Sequence, residues 1–340
     1  MNTTAPLKII ALDNCWEQVH PDVVYVSEGF AGYQYWMAFT PYPKMDDRVE
    51  NPTIRVSHDG MDWQKVLGIS DPVVHTPSDW PKTHHADTEL VYSSGHLYLI
   101  YLTIQRKTDN VTFNAMGCNS DLRWSKPQVI HEDVGAVSPT FQIDGNVWHE
   151  WFIRTNFQKG LNRSELVHRE GSDLGSLENE RPCHLDIPKH VLWHIDILKV
   201  KEGYEGLVCA FPSRTDQTRC RLFHVFSKDG LNFNLTRDGP IIEPSPLGWD
   251  NRLIYRSSFL KYPDGTYRIW YSGASWGRHF GIGLLQGSLN SLIEPANAIH
   301  APVPRYVLRL PGEADGWLRY QIRHNLPPSL LVLAQKRRVM

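Results

Sequence analysis

Three acids recur at matching places in this chain: Asp22 in HPDVVYV, Glu89 in DTELVYSS and Asp196 in HIDILKV. Asp22 and Glu89 are each followed three residues on by a tyrosine, Tyr25 and Tyr92, which fixes them as equivalent positions. Carboxylates gathered at one place raise one another's pKa, so such a set can give and take protons near neutrality. A carboxylic acid that protonates a leaving oxygen, with a carboxylate on the opposite side, is what cleavage of a glycosidic bond requires. Asp22 and Asp196 form that pair in this reading, and Glu89 is either a substitute acid or the neighbour that tunes it.

Polar and aromatic residues stand beside these acids: His20, Asp87, Trp193, His194, Trp276 and the run Arg256-Ser257-Ser258, with Ser138 at the matching place of a third segment. Aromatic faces beside acids suit a sugar ring, which offers apolar C–H faces and polar edges. Arg106, Arg154 and Arg214 fall at matched places further along their segments. They serve as partners for the acids or as planar forks for an anionic ligand, and pairing with the acids is the favoured reading. Of 16 histidines, His84, His85 and His279 also fall near the acids. His84 and His85 beside Asp87, with His194 and Asp196, are donors of the right type for a divalent ion, but no HExxH-like spacing accompanies them. No metal and no cofactor is therefore expected.

The elements that must position these residues repeat. HPDVVYV/GYQYWMAF, DTELVYSSGHLYLIY, SPTFQIDGNVWHEWF, HIDILKVKEGYEGLV and RSSFLKYPDGTYRIW are five hairpins of aromatic-rich strands, with Gly and Asp/Asn in turns that demand positive φ. A third strand follows each hairpin and ends in SHDG, NSDL, GSDL, SKDG or GSLN. The serines of these turns, 57, 120, 172, 227 and 288, trail the opening residues Asp22, Glu89, Ser138, Asp196 and Ser257 at a nearly constant interval. A unit of roughly sixty residues repeated five times, each a four-stranded antiparallel sheet, is an all-β five-bladed β-propeller. In that architecture the first strand of each blade lines the axis, so the opening residues converge there. Residues 1–300 form the propeller, Lys8 to Leu12 (KIIAL) is placed to close the ring, and 301–340 form a C-terminal extension that matches no repeat. A β-sandwich with a second domain is the alternative, and no linker composition marks its boundary.

Composition bounds the rest. The 35 Lys+Arg and 37 Asp+Glu in 340 residues leave a net charge of −2, which excludes a polybasic nucleic-acid binder. No apolar run approaches the roughly 18 residues of a membrane span. The start, MNTTAPLKIIALDN, lacks a signal-type apolar run, so the cytoplasm is the expected location. The five cysteines, at 15, 118, 183, 209 and 220, follow no disulfide or zinc-ribbon pattern.

On HPDVVYV, HADTELVYSSGHLYLIY, SPTFQIDG and WHIDILKV, over about residues 17 to 290, the chain resembles the five-bladed propeller glycoside hydrolases, the group of arabinanases, β-xylosidases, invertases and levansucrases. The resemblance implies a blade-one Asp as base or nucleophile, here Asp22; an orienting third-blade Asp, where this chain has Ser138; and a later Glu as acid, where it has Asp196. It implies a glycosidase acting on an oligo- or polysaccharide, anionic ones included. Other readings are a catalytically silent glycan-binding propeller, a phosphorylase or sugar-transfer enzyme of this fold, and a protein-recognition scaffold.

Overall fold

In the computed structural model, residues 5–11, 15, 17–156, 163–213, 215, 217–277 and 279–293 are described. The chain divides into two units, Met1–Ile299 and His300–Met340. The second unit, and with it the expected extension over 301–340, lies outside the described residues, as does Leu12.

The first unit is a five-bladed β-propeller. Blade one holds β1 (Gln18–Phe30), β2 (Tyr33–Pro41) and β3 (Thr53–Ser57); blade two holds β4 (Thr83–Ser93), β5 (His96–Gln105), β6 (Asn110–Cys118) and β7 (Gln128–Val134). Blade three is β8 (Ala136–Asp144), β9 (Val147–Asn156), β10 (Arg163–Gly171) and β11 (Glu178–Cys183); blade four is β12 (His190–Val200), β13 (Gly203–Pro212), β14 (Arg221–Ser227) and the short β15 (Asn234–Leu235). Blade five is β16 (Leu253–Lys261), β17 (Tyr267–Ala274) and β18 (Phe280–Gly287), followed by the helical turn α1 (Leu289–Ile293). Strands pair in sequence order, all antiparallel, as short Gly-containing turns dictate. Where blade one lacks a fourth strand, Gln64 bridges to Val56 at the edge. Beside blade five, Leu7 N–H donates to Ile282 O at 2.7 Å, and Leu7, Ile9 and Ala11 are buried against Ile282 and Leu284.

The inner strands touch in a closed ring, β1 to β4 to β8 to β12 to β16 and back to β1. Aliphatic and aromatic residues fill the spaces between blades, for example Trp36, Leu99 and Tyr101 between blades one and two, and Trp151, Ile197 and Phe223 between three and four. Polar turns lock these interfaces. In SHDG and SKDG, Ser57 Oγ and Ser227 Oγ accept the N–H groups of Gly60 (2.9 Å) and Gly230 (3.0 Å). The carbonyls of those glycines then accept Trp270 Nε1 (2.9 Å) and Trp151 Nε1 (2.7 Å) from the neighbouring blades. Among the described residues, no helix is long and apolar enough to cross a membrane.

Candidate active site

Each inner strand carries one extra residue near its start, a β-bulge, at His20-Pro21, Asp87, Ser138-Pro139, Trp193 and Tyr255-Arg256. Bulges bend a strand and re-aim its side chains. His20, Asp87 and Ser138 adopt φ of 56°, 44° and 57°, a left-handed conformation costly for residues with a Cβ and common where function demands it. The bulges separate two layers of axial residues.

The lower layer is a closed hydrogen-bonded ring. Asp22 Oδ2 accepts Leu90 N–H (2.6 Å), Glu89 Oε1 accepts Phe141 N–H (2.9 Å), and Thr140 Oγ1 accepts Ile197 N–H (3.2 Å). Asp196 Oδ2 accepts Phe259 N–H (3.0 Å), and Ser258 Oγ accepts Val23 N–H (3.0 Å). Each blade thus pins the strand of the next. The positions equivalent to Asp22 are therefore Thr140 and Ser258, and this corrects the repeat alignment, which placed Ser138 and Ser257 there. With no acid to mark the place, the serine-containing openings of blades three and five are read two residues and one residue too early.

Asp22, Glu89 and Asp196 come together as expected, with one oxygen from each within 4.8 Å of the others, and all are buried. Arg256, buried beside them, donates from Nη2 to Glu89 Oε2 (2.8 Å) and Pro139 O (2.9 Å). Burial, then the Asp22 charge, pushes Asp196 up to about 8, and the same two causes hold Glu89 well above the carboxylate range. Burial also raises Asp22, against the pull of Arg256. Three carboxyls surround one guanidinium, and their backbone bonds give them a structural duty.

The upper layer is His20, Asp87, Ser138, His194 and Arg256. Asp87 Oδ2 accepts Ser138 N–H (2.7 Å), and Ser138 Oγ bridges both Ile195 N and Ile195 O (2.8 Å each). Asp87 Oδ1, free of hydrogen bonds, lies 3.3 Å from His20 Nε2 and 3.6 Å from His194 Nδ1, and both nitrogens also lack a hydrogen-bond partner. Three buried donor atoms without hydrogen bonds meet at one point, with Arg256 Nη1 3.4 Å from Asp87 Oδ1 as their one cationic neighbour among the described residues, and such a group needs an explanation. Ligands about 2.0–2.1 Å from a tetrahedral ion stand roughly 3.3 Å apart, so the spacing fits a divalent metal. Burial pushes Asp87 up, but His20, His194 and Arg256 outweigh it and hold the carboxyl below its ordinary range; burial holds His194 well below its own. An ionised carboxylate and a neutral imidazole are the forms that ligate. His20 Nδ1 meets Thr40 Oγ1 (3.1 Å) and Glu50 Oε1 (3.3 Å), which fixes the ring with Nε2 toward Asp87. Burial lifts Glu50 to about 7.

No local pattern marks this donor set, because it is assembled from three blades. Glu50 lies outside every strand, where no repeat position marks it. His85 is consumed structurally, by Thr103 Oγ1 and His75 O (3.1 Å each). His84, with Nδ1 buried and unpaired, is driven down to about 4, chiefly by burial and then by Arg106.

The remaining expected residues sit as follows. Trp193 Nε1 donates to Tyr255 OH (3.0 Å), and its ring packs against His194. Ser257 is buried behind the ring with Oγ unpaired. Arg106 bonds Asp47, and Arg154 binds Asp133, Glu165 and Glu180. The favoured pairing of these arginines with the axial acids is thus replaced by acids near at hand, and Arg256 serves the axis instead. Trp276 is 59% exposed on the rim, away from the axis. Arg214 lies outside the described residues. A cavity of about 810 Å³ between blades two, three and four is lined by Ala136, Val137, Val191 and Leu192, next to the bulges, and by none of the axial residues.

No protein-family model matches the chain. It is 29% identical over 310 residues to a Flavonifractor plautii protein, the A type blood N-acetyl-α-D-galactosamine deacetylase, covering 74% of this chain and 39% of that one. The chain thus spans about two fifths of the length of the curated relative it matches. A crystal structure of an N-acetylgalactosamine deacetylase from F. plautii, in complex with blood group B trisaccharide, superposes with a TM-score of 0.78 at 21% identity, over 86% of this chain and 96% of that chain. A xylan β-1,4-xylosidase from Bacillus halodurans C-125 gives 0.60 at 15% identity, over 81% and 54%. An exo-1,5-α-L-arabinanase from a bovine ruminal metagenomic library gives 0.57 at 12%, over 79% and 92%. The fold is therefore that of the five-bladed propeller glycoside hydrolases, and the deacetylase shares it.

Proposed function

We propose that this protein is a carbohydrate-active hydrolase that cleaves the amide of an N-acylated amino sugar, with His20, Asp87 and His194 holding a divalent metal. The observation that carries this reading is the convergence of three buried donor atoms that make no hydrogen bond, above a ring of carboxylates already committed to backbone bonds. Similarity to a protein named as an N-acetylgalactosamine deacetylase supports the same chemistry and suggests an N-acetylhexosamine as the sugar.

When bound, a divalent ion supplies Lewis-acid polarisation of an acyl carbonyl. The chain's own residues do the rest. Glu50 orients His20 and, lifted to about 7, holds or releases a proton close to neutral pH. His84, neutral above about pH 4, has an unpaired Nδ1 able to accept a proton. Arg256 steadies the charge of Asp87 from 3.4 Å.

Glycosidic cleavage by Asp22 and Asp196 is the second reading, and Asp196 favours it: a carboxyl held at about 8 is protonated at neutral pH, as a general acid must be. The two readings yield different products. Incubation with N-acetylgalactosaminides followed by proton NMR should show free acetate and an intact glycosidic bond. A free reducing end without acetate would select the second reading.

A further inference from the structure

Blade three gathers two imidazoles and a carboxylate away from the axis, on the side of its sheet that packs against blade four. His149 of β9 stands directly opposite Glu170 of β10, and His168 comes two residues before Glu170, so all three project from one side of the strand pair. His149 Nδ1 lies 3.0 Å from His168 Nε2 and 3.8 Å from Glu170 Oε2, and the three atoms all fall within 4.8 Å of one another. The rings are held by packing. His149 and His168 lie 5.6 and 5.0 Å from the Trp151 ring, the indole latched to Gly230 of blade four, and His149 also meets Tyr204 of that blade at 5.9 Å.

A hydrogen bond between the imidazoles would account for their 3.0 Å approach, but in either neutral tautomer it leaves His168 Nδ1 buried without a partner. As a purely structural device the pair is therefore costly. Burial drives His168 down to about 3, with His149 and Arg181 adding to it, and burial also lowers His149, so protons do not compete for either ring at neutral pH. Arg181 Nη2 holds Glu170 Oε1 at 2.8 Å, which leaves Oε2 to the imidazoles. The side chains of His149 and Glu170 are partly exposed, so an ion and a water ligand can reach them. Two imidazoles and one carboxylate with an open position suit zinc and neighbouring transition metals, whereas calcium and magnesium prefer oxygen donors. We infer that His149, His168 and Glu170 form a second metal site, for zinc or a similar transition ion, that staples β9 to β10 beside the Trp151 latch. Arg181 and Lys199 act on His149 from nearby, with Lys199 paired to Asp144 (2.6 Å), whereas four carboxyls surround Arg256 at the axis. The blade-three ion is thus held more weakly and fills second.

The test is calorimetric titration of chelator-treated full-length protein with Zn²⁺, repeated with Co²⁺, whose visible absorption reports tetrahedral ligation. The wild type should take up two equivalents in sequence, and Asp87→Asn should keep the weaker one. Adding His149→Phe to Asp87→Asn retains a ring against Trp151 and Tyr204 but should weaken that binding roughly 100-fold or more; Glu170→Gln should weaken it roughly tenfold. Zinc should also raise the thermal midpoint of Asp87→Asn and leave that of the double variant unmoved. No zinc uptake by Asp87→Asn, or uptake that neither His149→Phe nor Glu170→Gln alters, would overturn the inference and leave a histidine–histidine hydrogen bond. The axial site is read separately. One equivalent in both wild type and Asp87→Asn, lost in His149→Phe alone, keeps the blade-three site and removes the axial metal; one equivalent in the wild type and none in Asp87→Asn does the reverse.

Discussion

At the residue scale, the account rests on His20, Asp87 and His194. Asp87→Asn removes the charge that three cationic or polar partners hold in place, so we expect loss of metal in elemental analysis and a fall in acetate release of at least 100-fold. Glu50→Gln leaves the ligands but loosens His20; an outer-shell partner of this kind is worth roughly 10- to 100-fold in metal affinity or activity. Arg256→Met tests the buried ion pairs: Glu89 and Asp87 lose their shared cation, and urea denaturation should show a loss of about 3–5 kcal/mol. Much of this was legible in the chain. Asp22, Glu89 and Asp196 stand out because an acid in an apolar strand is costly to bury unless it is bonded, and each is bonded to the next blade. His20, Asp87 and His194 were noticed beside them, yet their meeting depends on left-handed bulges that no local pattern announces.

At the scale of elements, the bulged inner strand is the repeating device. Thr140 and Ser258 complete the ring that Asp22, Glu89 and Asp196 begin, but a Thr or Ser inside a strand is too ordinary to be noticed in sequence. Thr140→Val leaves Ile197 N–H without an acceptor and takes a donor from Asp196, so a loss of about 1–3 kcal/mol is expected in denaturant unfolding. The SHDG and SKDG turns were readable as turns, whereas their tryptophan latches to the next blade were not. Gly230 has φ of +74° and a Cβ there would stand 3.0 Å from Trp151 Cζ2. Gly230→Ala should therefore lower the midpoint of thermal unfolding, through both the left-handed backbone and the crowded latch.

At the scale of the whole propeller, five blades are countable because the hairpins and the serine turns keep step, while the Gln64–Val56 bridge at the edge of blade one and the Leu7–Ile282 hydrogen bond beside blade five follow no strand-length pattern. Charge acts on the ring as a unit. Glu150, buried beneath Arg169, is pushed up to about 7 by burial. The folded state then binds more protons than the unfolded one between the ordinary value of 4.5 and about 7, so this group makes stability fall as pH rises through that window. Glu205 acts in the opposite direction. Bonded to Lys261 (2.6 Å) and Tyr267 (2.8 Å) of blade five, it is drawn down to about 2, against its burial, with His224 contributing first; its stabilisation is present above 4.5 and lost as pH falls toward 2. Thermal melts of the wild type and of Glu150→Gln from pH 4.5 to 8 should show a shallower decline in the variant. The most direct test of the central claim is acetate release from an N-acetylgalactosaminide by chelator-treated protein titrated with a divalent metal. The account predicts no release without metal and full recovery at one equivalent per chain, with no recovery in Asp87→Asn. Undiminished release by metal-free protein would contradict it.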